Sequence, residues 1–150
     1  MIRPLVLAAL LSASSQVYAQ SPASCETTVD GNDAMRFNVS EIKIDKACKS
    51  FTVKLTHSGK MPREAMGHNW VLVKKADVSA AANDGMKAGL ANEYVQPGDA
   101  RVLAATKVIG GGGSTAVTVD TSKLAAGEEY TFFCSVPGHW TIMKGKLTIG

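Results

Sequence analysis

Cys134, His139 and Met143, spaced Cys-x4-His-x3-Met, place three chemically capable side chains within ten residues near the C-terminus. They offer a thiolate, an imidazole and a thioether, a donor set that suits a soft transition metal. A second imidazole, His68, opens the run His68-Asn69-Trp70-Val71-Leu72. Taken singly, Cys134 reads as a buried inert thiol and His68 as a core histidine. The fixed spacing of His139 and Met143 tips both towards ligation. His57 is read as structural, and Trp70 and Trp140 as packing residues.

The elements around these residues read mostly as strands. Period-two alternation, the mark of a half-buried strand, runs through residues 35–39, 41–44 and 51–55. Residues 68–73, 102–105, 115–119, 130–134 and 144–149 are short runs rich in β-branched or aromatic residues, punctuated by Pro97-Gly98-Asp99, glycines 110–113 and Gly127. Seven or eight short strands predict an all-β sandwich or barrel. The exception is residues 77–90, where Asp77 could cap a helix with Val78, Ala81, Ala82 and Met86 on one face. The glycine run lacks the following Lys-Ser/Thr of a phosphate loop and is read as a turn.

Strand parity gives the donors a direction. Cys134 shares a face with Phe132 and Tyr130, Met143 with Leu147 and Ile149, and His68 with Trp70 and Leu72. Both sulfurs should therefore point inward across the loop of residues 135–142, which also holds His139. Two imidazoles and a thiolate in a plane, with a weak axial thioether, make up a blue-copper electron-transfer site.

Length and composition bound the rest. The chain has 150 residues, 45% of them hydrophobic and 19% charged, with net charge +3, which describes one foldable domain rather than a disordered chain. Arg3, an apolar run over residues 5–11 and Val17-Tyr18-Ala19 read as a secretory signal peptide over residues 1–19, with the mature domain at 20–150. The apolar run is far shorter than the ~20 residues of a membrane span, so no membrane insertion is expected. Scattered cations without interleaved aromatics argue against nucleic-acid binding.

Met66-Gly67-His68-Asn69-Trp70, Gly31-Asn32-Asp33, Asp84-Gly85-Met86 and Phe132-Phe133-Cys134 followed by Pro137-Gly138-His139 together resemble the azurins, small periplasmic blue-copper proteins of the cupredoxin family. The resemblance extends from Cys25 to the C-terminus. It implies an eight-stranded Greek-key β-sandwich with one short helical flap. His68, Cys134 and His139 would hold one copper ion in a plane, with Met143 and the backbone carbonyl of Gly67 as weak axial ligands. Asn69 would tie the ligand loops together, and its amide and that of Val136 would hydrogen-bond the Cys134 sulfur. His57 would be a non-ligand near the site. Cys25 and Cys48, both early in an exported chain, are expected to form a disulfide, and azurin-like proteins share this bridge.

The resemblance also implies an apolar contact patch around His139 made by Met35, Met61, Ala65, Met66, Met86, Val136 and Gly138. Val136 replaces the Phe common at that place. Partners would be transient redox proteins such as c-type cytochromes or periplasmic oxidoreductases, the protein itself being a monomer and not an enzyme. A copper-trafficking role is the rival reading, although such proteins usually expose Met-rich or CxxC sites built for release.

Overall fold

The computed structural model describes residues 24–150, so the leader and its cleavage point lie outside the described residues. Two β-sheets face each other. The first contains β1 (Glu26–Asn32), β2 (Arg36–Phe37), β4 (Ser50–His57) and β7 (Ser114–Asp120), in the order β2-β1-β4-β7. The second contains β3 (Glu41–Ile44), β5 (Val71–Lys74), β6 (Ala104–Ala105), β8 (Tyr130–Phe133) and β9 (Lys144–Ile149), in the order β3-β9-β8-β5-β6. Segments β2 and β3 are separated by residues 38–40 and belong to different sheets. They behave as one strand that bends from sheet to sheet, a device by which sandwiches close their corners. Counted so, the strands among the described residues number eight, as expected.

The core between the sheets follows from alternation. Along β4 the residues Phe51, Val53, Leu55 and His57 are buried while Lys54 is exposed. Phe51, Val53 and Leu55 meet Val29, Ile42, Ile44, Trp70, Leu72, Tyr130, Phe132 and Leu147 in one cluster. Each such side chain, fully buried, contributes about 1.5–3 kcal/mol. Strand β5 is buried on both faces, because Val71 and Val73 pack with Phe133 under helix α2 (Val78–Ala88), against Val78, Ala81 and Ala82.

Local details depart from the sequence reading. Strand β1 was not legible, since of its inward residues Thr27, Val29 and Gly31 only Val29 is a sizeable apolar side chain. His68 does not begin a strand. It forms a lone bridge to Ile109, and the ladder of β5 starts at Val71. Asp77 sits at the N-cap of α2 but makes no side-chain capping bond. Met86 points outward, 47% exposed, and Gly85 takes the inward place. A Cβ there would collide with the Tyr94 carbonyl, so only glycine lets the helix approach that segment. The glycine run turns as read, with the Gly113 amide donating to the Gly110 carbonyl at 3.0 Å.

Cys25 and Cys48 form the expected disulfide, with Cα atoms 5.6 Å apart. Closing this loop stabilises the fold by about 3 kcal/mol on the chain-entropy model. No described helix is long and apolar enough to cross a membrane.

Candidate metal centre

The donors converge from two places in the fold. His68 lies in the approach to β5, held by reciprocal backbone bonds with Ile109, at 2.9 Å from its amide and 2.8 Å to its carbonyl. Cys134 directly follows β8, and Met143 directly precedes β9. The loop between them closes on itself. The Cys134 amide donates to the Met143 carbonyl at 3.0 Å, and the Met143 amide donates to the His139 carbonyl at 2.8 Å. Gly138, with φ 84°, makes the left-handed turn that brings His139 back over the sulfur.

The donor atoms of His68, Cys134 and His139 lie within 4.8 Å of one another, and all three residues are buried. Cys134 Sγ is 3.8 Å from His68 Nδ1 and 3.5 Å from His139 Nδ1. With metal–sulfur bonds of ~2.3 Å and metal–nitrogen bonds of ~2.0 Å, sulfur and nitrogen should stand about 3.5 Å apart in a tetrahedral and about 3.7 Å apart in a trigonal site. The cluster thus fits one ion bound by all three atoms. Its donors, one thiolate and two imidazoles, suit copper.

Hydrogen bonds choose the ligating nitrogen. His68 Nε2 donates to the Asn32 carbonyl at 2.8 Å, which leaves the Nδ1 lone pair facing the sulfur. His57 stacks on His68 with centroids 4.5 Å apart and an interplanar angle of 14°. Its own Nε2 donates to the Met66 carbonyl at 2.8 Å, and its Nδ1 accepts from the Gly59 amide at 3.0 Å. A Cβ on Gly31 would stand 2.7 Å from His68 Cδ2 and 3.1 Å from Met143 Cε. Glycine at this point is what admits both side chains. His57 lies beside the site and is no part of the donor triangle, as the resemblance implied. Its stacking and the contacts of Asn32 and Gly31 were not legible in the sequence, because each depends on residues more than ten positions away.

Asn69 bridges the two ligand segments. Its Nδ2 donates to Ser135 Oγ at 2.8 Å, and its Oδ1 accepts from the Ser135 amide at 2.8 Å. The backbone amides of Asn69 and Val136 reach the Cys134 sulfur. Burial pushes the Cys134 thiol up to about 12 against those two amides, and burial depresses His68 to about 4 and also lowers His139. At neutral pH the metal-free site therefore presents two neutral imidazoles and a protonated thiol.

Met143 is fully buried beside this cluster and Gly67 is buried next to His68. Of the seven patch residues, Met61, Ala65, Met86 and Gly138 are exposed, while Met35, Met66 and Val136 are half-buried. Ile142, 61% exposed within the ligand loop, is an apolar surface residue that the sequence reading left out.

A model of the copper-binding proteins of the plastocyanin/azurin family matches residues 23–150. The chain belongs to this family. Azurin-2 of Alcaligenes xylosoxydans xylosoxydans is 62% identical over 128 residues, 85% of this chain and 99% of that protein. The azurin of Achromobacter denitrificans is 56% identical over 149 residues, 99% of each chain. Among solved structures, the azurin Az-iso2 of the methylotroph Methylomonas sp. strain J superposes with a TM-score of 0.83 at 48% identity, covering 85% of this chain and 99% of that one. The family is one of copper-binding proteins, and the donor atoms that could hold the metal in this chain are those of His68, Cys134 and His139.

Proposed function

We propose that this protein is an exported, monomeric one-electron carrier built on a type 1 copper site, and not an enzyme. The carrying observation is the buried triangle of His68, Cys134 and His139 donor atoms, all within 4.8 Å. Copper bound there supplies a Cu(I)/Cu(II) couple. Met143 and the Gly67 carbonyl would add weaker contacts to the ion, a reading supported by their burial beside the triangle.

The chain's own part is to keep the donors still. Asn69, Ser135 and the 134–143 backbone bonds fix the sulfur and both rings, so little rearrangement accompanies a change of charge. The triangle is closed to substrate, since His139 is only 5% exposed and the sulfur not at all. Electrons pass through the His139 edge into the patch of Met35, Met61, Ala65, Met66, Met86, Val136 and Gly138. Flexible thioethers on that surface suit brief contact with redox proteins such as c-type cytochromes or periplasmic oxidoreductases. Export to the periplasm, with cleavage leaving Gln20 first, rests on the leader composition.

Adding Cu(II) to metal-free protein at pH 7 tests the reading. Expected are an intense blue absorption that bleaches on reduction, and release of one proton, from Cys134. A colourless complex, or release of two or more protons, would overturn it. Reversible cycling with copper retained under a mild chelator separates a carrier from a trafficking protein.

A further inference from the structure

The segment Gly67-His68-Asn69 is gripped on both sides by one residue outside the ligand set, Glu93. Its backbone carbonyl accepts from Asn69 Nδ2 at 2.7 Å, the same nitrogen that donates to Ser135 Oγ. Its carboxylate Oε2 accepts from the Val108 amide at 2.6 Å and from Arg63 Nη2 at 2.8 Å. Those two partners enclose Gly67: a Cβ there would collide with the Arg63 carbonyl and stand 2.6 Å from Val108 Cγ1. Next to Val108, Ile109 exchanges both backbone bonds with His68.

Glu93 holds this place in an uncommon conformation. It and Tyr94 are adjacent non-glycine residues in the left-handed region, at φ 58° and 53°. Such backbone persists where the surroundings over-determine it, and it gathers at functional sites. Here the surroundings are the Glu93 and Tyr94 amides, bonded to the Leu90 and Gly89 carbonyls at 3.0 Å each, and α2, seated on Tyr94 through Gly85.

We propose that Glu93 is a positioning residue of the copper centre, setting through one backbone carbonyl and one carboxylate oxygen the spacing between Gly67 and the Asn69–Ser135 clasp. The inference rests on the copper reading above. Its mechanism is reach rather than charge: the carboxylate must touch the Val108 amide and Arg63 together while its own carbonyl stays on Asn69. A loosened frame lets Cu(II) move towards the tetragonal geometry it prefers, so loss of the grip favours the oxidised state.

Two variants of the full chain separate reach from charge. Glu93→Asp keeps the charge and tolerates left-handed backbone, but its carboxylate is one methylene short. Glu93→Gln loses the charge and keeps an acceptor oxygen at full length. In the copper-loaded proteins the Cu(I)/Cu(II) equilibrium against a mediator of known potential should move at least threefold towards Cu(II) in Glu93→Asp, about 28 mV at 59 mV per decade for one electron. Glu93→Gln should show less than half that displacement. In the metal-free proteins the Val108 amide should exchange hydrogen at least tenfold faster in Glu93→Asp than in the unaltered chain. A change below 1.5-fold in the Glu93→Asp equilibrium, or a Glu93→Gln shift equal to or larger than that of Glu93→Asp, overturns the proposal while leaving a blue protein and the carrier function intact. Absence of the blue absorption in the unaltered protein would overturn both.

Discussion

The two imidazoles of the site are held in opposite ways. His68 is fully buried, bonded through Nε2 to Asn32, stacked on His57 and packed against the bare Cα of Gly31. His139 is 5% exposed, and its ring makes no hydrogen bond among the described residues besides its contact with Cys134. It stands in a loop turned by Gly138, with exposed Ile142 beyond it. One ring is an anchor built into the core, and the other is a contact held at the rim. A centre that must keep its metal and still exchange electrons needs this asymmetry, because equal burial would insulate it and equal exposure would loosen it.

Acidifying the metal-free protein should expose the contrast most strongly. His68 is depressed by burial to about 4 from an ordinary 6.5, so between those values the unfolded chain binds the extra proton and stability falls as pH falls. The whole shift amounts to about 3 kcal/mol at ~1.4 kcal/mol per pH unit. Urea unfolding at pH 7 and pH 4 measures it. His68→Gln should remove most of the dependence and His139→Gln the smaller part; the reverse order would dissolve the distinction between anchor and contact. At the other extreme, burial holds the Cys134 thiol up to about 12, so the same protein should lose stability again as pH rises above 9.

Gly31→Ala attacks the anchor alone. The added methyl would stand 2.7 Å from His68 Cδ2, so the ring must move, at about 2 kcal/mol for overpacking. The absorption of the loaded protein should change as well, which circular dichroism and visible spectra would report together. An unaltered spectrum would mean that His68 has slack the contacts do not suggest. Gly138→Ala tests the rim. Nothing lies within 4 Å of the new Cβ, so only the left-handed backbone is penalised, by about 1 kcal/mol. Thermal unfolding should show that small loss with the absorption kept; a loss as large as that of Gly31→Ala would show the loop to be no softer than the core.

What could be read from the sequence was whatever acts over short spacing. Cys134, His139 and Met143 lie within ten residues, and strand parity set Cys134 on the face of Phe132 and Tyr130; all three are buried, as is Phe133 between them. Alternation announced the strands but left sandwich and barrel open, the resemblance supplying the sandwich, and its local loss over residues 77–90 marked the helix found at Val78–Ala88. Strand β1 escaped because a strand that must leave room for His68 and Met143 places glycine where an apolar residue would have announced it. Glu93 escaped for a different reason. A charged residue in a turn looks solvated, and its carboxylate works on the amide of Val108 and a side chain 30 residues away. Met86 fitted the apolar face by spacing alone, yet the close approach of α2 to Tyr94 gave that face to Gly85.

The C-terminal strand β9 runs parallel to β3, from Glu41 beside Lys146 to Ile44 beside Ile149, and antiparallel to β8 on its other edge. Pairings of such sequence separation form late and slowly. A chain emerging from synthesis would therefore possess His68, Cys134, His139 and Met143 before it possessed a cavity to put them in. Stopping the chain after Met143 would leave every donor and the Asn69–Ser135 bonds in the sequence, yet remove the strand between β3 and β8 and with it the join of β3 to the rest of its sheet.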